Sequence, residues 1–120
     1  MAGKIIADTI ETGAGADIST SYVVNGSAKA WCNFDADAVV NESLNASSIT
    51  DSSTGQFKLT ISNAMDTTTY AQFVSSGDTK HSSGWSGTRS TTVSGILLFN
   101  NSHTYQDAND SNIALYGDLA

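Results

Sequence analysis

Apolar and polar residues alternate along much of this chain with a period of two. Over residues 28–34, Ala28, Ala30, Cys32 and Phe34 fall on one side of an extended chain, and Lys29, Trp31 and Asn33 fall on the other. The first set predicts a buried face and makes Cys32 a small core side chain. Residues 56–61 alternate most cleanly, with Phe57, Leu59 and Ile61 inward and Gln56, Lys58 and Thr60 outward. Further strands are expected at 69–75, which carries Tyr70, Phe73 and Val74, at the apolar run 91–99, and at 112–116. Residues 38–49 keep no single period, so a bulged strand is expected over 43–49. Asn25-Gly26 stands between two extended runs and predicts a type I′ hairpin turn, because both residues tolerate positive φ. Polar turns separate the runs, and there is neither a helical period nor a fixed internal repeat. The pattern predicts an all-β fold, an antiparallel sandwich of about seven to eight short strands.

Two segments break the alternation. Residues 4–10 place Ile6, Asp8 and Ile10 on one side and Ile5, Ala7 and Thr9 on the other. Isoleucine on both faces asks for cover on both faces or for wrapping by another chain. The segment reads as an edge strand of the main sheet or as an arm reaching a partner. In the arm reading, residues 1–20 serve assembly or docking through Ile5, Ile6 and Ile10, and residues 21–120 form the sandwich. The second segment is 75–92, where thirteen of eighteen residues are Ser, Thr or Gly. Long loops without internal structure tend to be functional or disordered. Trp85 stands there in Gly84-Trp85-Ser86-Gly87 with no apolar neighbour, near Lys80, His81 and Arg89. An indole with cationic and donor side chains offers a stacking plate and donors for a sugar or surface polymer. The same indole equally serves as a lid over one end of the sandwich or as packing against a neighbouring subunit.

Composition narrows the classes. Leu, Ile, Val and Phe total 24 of 120 residues, a fifth of the chain, which is the region where packed cores become sparse. Disorder is nonetheless disfavoured, because the chain has no proline, only 14% charged residues and an abundance of β-branched side chains. Five cations against twelve anions give −7, which argues against a nucleic-acid partner. The longest apolar run is about four residues, far short of the roughly 20 of a membrane span, and residues 1–11 lack the apolar stretch of a secretory signal. A single cysteine excludes an internal disulfide framework. With so small an apolar inventory, burial gained from neighbouring subunits is expected.

Little in the chain points to catalysis. It carries no Gly-x-Ser-x-Gly elbow, P-loop or dinucleotide fingerprint. With so many Ser and Asp residues, a Ser–His–Asp set drawn around His81 or His103 carries no information. Residues 107–112 place oxygen ligands at alternate positions, as a calcium loop does. They lack its glycine at the sixth position, which is Asn112, and its bidentate Glu at the twelfth. A solvated turn is the simpler reading, and no cofactor, metal or catalytic residue is expected.

Several words of the sequence resemble a known family. Ala28-Lys29-Ala30-Trp31 continuing to Asn33-Phe34 is similar to the Ala-Lys-Ala-Trp-Val-Asn-Phe opening of short tail-fibre-like proteins of tailed, especially aquatic, bacteriophages. The likeness continues over residues 44–51, Gly55, 57–61, 63–65, 69–71 and 111–116, and residues 4–10 look like the leader that precedes such modules. Cys32 stands where the family usually has valine, and Asp35-Ala36-Asp37-Ala38 replaces its usual Asn-Gly-Thr-Gly turn. The resemblance implies a virion structural protein, commonly a homotrimer, made in the bacterial host cytoplasm and contacting the host surface as a tail fibre or its tip. The alternative is a capsid fibre or head decoration protein docked on other virion proteins. No catalytic residue is carried over.

Overall fold

The computed structural model describes residues 3, 6–11, 13–78 and 81–120. Ile5 and Lys80, singled out above, lie outside them. Eight strands form an antiparallel two-sheet sandwich. The first sheet has the order β4 (Val40–Leu44), β3 (Ala28–Phe34), β10 (Ser111–Tyr116) and β7 (Ala71–Ser76). The second has the order β5 (Ala46–Ser53), β6 (Gln56–Ile61), β9 (Val93–Phe99) and β8 (His81–Gly84). Ahead of them stand a two-stranded hairpin, β1 (Thr9–Glu11) with β2 (Asp17–Ser19), and a short helix, α1 (Thr20–Gly26). The all-β sandwich expected from the alternation is therefore the observed architecture.

The core lies where the period of two placed it. Ala30, Cys32 and Phe34 on β3 and Phe57, Leu59 and Ile61 on β6 are buried. They meet Ile96 and Leu98 of β9 and Ile113 and Leu115 of β10, with Met65, Tyr70 and Ala108 closing the ends. The Phe34 and Phe57 rings touch across the sheets at 5.2 Å between centroids, a tilted pairing that aromatic quadrupoles favour.

Three local expectations are corrected. The Asn25-Gly26 hairpin is replaced by α1. Both sides of β3 are already occupied by β4 and β10, so β3 has no free side to pair with a strand at 21–24 in a hairpin. Ser19 caps the helix, its Oγ accepting from the Ser21 amide at 3.3 Å. The bulged strand at 43–49 is two strands meeting at a corner. Asn45 takes φ 54°, a left-handed conformation that Asn tolerates, and its carboxamide holds the carbonyls of Lys29 and Asn63 and the Asn63 amide. The chain thereby crosses from the first sheet to the second. Finally, the polar stretch 75–92 contains β8, which pairs with β9 by backbone bonds alone, and a 3₁₀ turn at Ser86–Thr88.

Gly55 shows how tightly the second sheet is closed. It has φ 67°, and a Cβ there would lie 2.5 Å from the Leu98 carbonyl oxygen and 2.7 Å from the Gln106 nitrogen. Both are backbone atoms that cannot step aside cheaply. Gly55→Ala is expected to destabilise the fold by at least about 2 kcal/mol, combining positive-φ strain with a steric clash. A urea midpoint unchanged from wild type would contradict this reading of the turn.

Candidate functional site

Of the loop residues first considered for ligand contact, the described ones, Trp85, His81 and Arg89, are not gathered into one site. Trp85 follows β8, and its amide donates to the Gly95 carbonyl at 2.8 Å. The indole lies over Gly95 on the outer face of the second sheet, where a Cβ at that position would meet Trp85 Cβ at 2.9 Å and Cε3 at 3.2 Å. Lys58 Nζ stands 5.1 Å from the ring centroid, a cation–π contact across the same face. His81 sits at the opposite end of β8, opposite Phe99, about 13 Å away at roughly 3.3 Å per residue. Its ring stacks on His103 at 5.8 Å.

Arg89 is turned inward. Its Nη1 donates to the Tyr70 carbonyl at 3.2 Å and its Nη2 to Gln72 Oε1 at 2.9 Å. The guanidinium carbon lies 4.8 Å from the centroid of the Tyr70 ring. Gln72 Nε2 in turn donates to the Gly95 carbonyl at 2.6 Å, and the Tyr70 hydroxyl reaches the Val93 carbonyl at 3.0 Å. These bonds join β7 of the first sheet to β9 of the second and close that side of the sandwich. Arg89 is thus placed to hold the sheets together. Arg89→Ala is expected to cost about 1.5–3 kcal/mol, the range of hydrogen bonds to charged groups. Arg89→Lys is expected to recover little of it, since an ammonium cannot reproduce the fork. Thermal melts of both variants at fixed pH check this.

The acidic stretch 107–112 is likewise occupied by structure. Asp107 Oδ1 accepts from the Gly55 amide at 2.6 Å, and Asp110 Oδ1 accepts from Asn33 Nδ2 at 2.6 Å. Among the described residues no group of three or more His, Cys, Asp or Glu is placed to hold a metal ion.

A different surface has the shape of a site. The register pairs Leu44 with Trp31, Trp31 with Ala114, and Ala114 with Phe73, so the four form one row across the outer face of the first sheet. Between Trp31 and Phe73 lies an open groove of about 400 Å³ floored by Ala114. Phe73 is 64% exposed and Leu44 49%. Tyr116, one row nearer α1, meets the Phe73 ring edge-on at 5.4 Å. On the far side of the groove the face turns polar. Asn33 Nδ2 donates to Asn112 Oδ1 at 2.8 Å, and Asn41 Nδ2 donates to Asn33 Oδ1 at 2.8 Å. Alternation in β3 does put Trp31 on the outer face. Its companions Phe73, Tyr116 and Leu44 become visible only through long-range strand register, which no local pattern carries.

Cys32 lies beneath this groove with its side chain in the core, and burial pushes its thiol up to about 11. The folded state therefore favours the protonated thiol, whereas an unfolded thiol ionises near pH ~8.5. The resulting stabilisation is complete below about pH 8.5 and is lost as pH rises toward about 11. Cys32→Val is expected to remove this alkaline loss while changing neutral-pH stability by less than about 1.5 kcal/mol. Urea midpoints measured from pH 7 to 11 test it.

No family model, curated protein or solved structure matches this chain.

Proposed function

We propose that this chain is a structural module of a tailed-bacteriophage virion, a tail fibre or fibre tip that assembles as a homotrimer and contacts the host surface. The observation that carries the reading is the N-terminal segment. Ile6, Ile10, Ile18, Tyr22, Val23 and Val24 are all large, apolar and exposed, and all precede β3. Ile6 is 82% exposed and Tyr22 75%. In the hairpin Ile10 pairs directly with Ile18, so their side chains share one face, and each is nearly half exposed. The segment also draws the molecule out. Its radius of gyration is 16.7 Å, against about 14 Å for a compact domain of this length.

An apolar segment of this kind is stable in water only when another surface covers it. A seven-residue helix is far below the roughly 12–15 residues at which isolated helices become marginal. Assembly through residues 6–26 supplies the cover and leaves the sandwich displayed. The resemblance of residues 28–34 and 44–51 to tail-fibre-like proteins supports the virion setting. The role is structural and adhesive, with synthesis in the host cytoplasm followed by incorporation into the particle.

Replacing Val23 and Val24 together by Asp is expected to reduce the native mass to that of one chain while the melting temperature stays near wild type. In intact particles, labelled antibody against the sandwich is expected at the tail. Labelling confined to the head would overturn the fibre assignment and place the protein on the shell.

A further inference from the structure

We infer that the apolar row on the outer face of the first sheet seats helix α1 of a second copy of this chain. The inference rests on the proposed role of the N-terminal segment in assembly and adds the surface that receives it.

Apart from Val39, Val40, Tyr105 and Leu119, the exposed large apolar side chains among the described residues fall into two groups. Six precede β3, and Leu44 and Phe73 join half-buried Trp31 and Tyr116 on one face of one sheet. The outer face of the second sheet differs. There each outward position of β9 faces a polar residue of β6, half-buried Val93 opposite Thr60, Gly95 opposite Lys58 and half-buried Leu97 opposite Gln56, with Trp85 already laid over the glycine. A chain short of core residues has thus left two apolar surfaces uncovered, a convex one on α1 and a grooved one on the first sheet.

The two surfaces are also continuous in their polarity. α1 leads directly into β3 at Ala28, and Ala28 pairs with Tyr116, which pairs with Ala71. Lys29 folds back so that its Nζ donates to the Val24 and Ser27 carbonyls at the end of α1. Moving along the sheet away from the helix, the rows read Tyr116 first, then Leu44–Trp31–Ala114–Phe73, then the carboxamides Asn33 and Asn112 with Asn41. Apolar character runs through the first two rows and ends at the carboxamide row, as an interface bounded by a polar rim does.

The fit is one of size and chemistry. Trp31 and Phe73 stand two strands apart, about 9.6 Å between backbones, so the slot between their side chains takes one side chain inserted from a helix lying across the row, whose own diameter is roughly 10–12 Å. Ala114 keeps the floor low between them. Tyr22, with Val23 and Val24 beside it, supplies an aromatic anchor of the type that dominates interface energetics. α1 does not occupy its own groove, since none of its residues is buried, and the Lys29 contacts hold its last turn. Each copy therefore offers one helix and one groove. Such a heterologous contact closes when the copies form a ring, which accords with a trimer.

The test uses full-length chains in which the exposed residues Tyr22 and Phe73 are replaced, so the core is untouched. Chains carrying Tyr22→Cys and differently tagged chains carrying Phe73→Cys are co-expressed and oxidised. A disulfide joining the two tags is the expected result. In parallel, Phe73→Asp is expected to weaken association on the order of 30-fold, as loss of an interface hot spot does, and to expose the α1 amides to fast hydrogen exchange while the strands stay protected. An intact oligomer with no mixed disulfide, or with α1 protection unaltered by Phe73→Asp, would overturn the groove assignment and leave assembly through α1 standing. A wild-type protein that is monomeric would overturn both.

Discussion

The structure depends on how a small apolar inventory is divided. Thirteen apolar residues make the buried core, drawn chiefly from alternate positions of four strands, β3, β6, β9 and β10. That set suffices to hold two four-stranded sheets face to face. Ile49 and Val74 pack against its margin, and much of the remaining large apolar surface lies ahead of β3 or on the outer faces of the sheets. Residues ahead of β3 form a hairpin and a helix with an apolar surface, and the outer face of the first sheet carries an aromatic row. A chain with more core would have enclosed these groups. This one leaves them exposed.

The polar residues follow a complementary logic. Much of the unusual Ser, Thr, Asn and Gly content is spent on backbone bonds that close turns and edges. Asn45 turns the chain between sheets, Asn100 Oδ1 accepts the Ser102 and Thr104 amides, and Asp35 Oδ1 accepts those of Asp37 and Val39. On one open side Gln72 and Tyr70 bond to carbonyls of β9, and charge-assisted bonds from Arg89 hold both residues in place. Such bonds are directional, so they fix the relative setting of the sheets where hydrophobic contact alone would let them slide.

The core was legible in the sequence because alternation is a local signal. Ala30, Cys32 and Phe34, and Phe57, Leu59 and Ile61, point where a period of two puts them. The failures share one cause, which is competition from partners distant in the chain. Asn25-Gly26 has the local chemistry of a hairpin turn, yet β3 already has two neighbours, so the preceding residues coil into α1. The stretch 75–92 reads as a loop because Ser and Gly have little strand propensity, yet β9 needs an edge partner and β8 supplies one through its backbone. Trp85 and Arg89 look free by composition, while Gly95 and Tyr70 draw them onto the protein's own surface. The aromatic row was half visible: Trp31 followed from alternation, whereas Phe73, Tyr116 and Leu44 needed the register.

The central claim is that the surfaces left apolar by this division are covered by copies of the same chain. Light scattering of the full-length wild-type protein, at micromolar concentration and in moderate salt, tests it most directly. The account predicts a particle of three 12.5 kDa chains that persists on dilution through that range. A single 12.5 kDa species with a cooperative melt would contradict it, since the sandwich would then be stable with its apolar helix and aromatic row open to water.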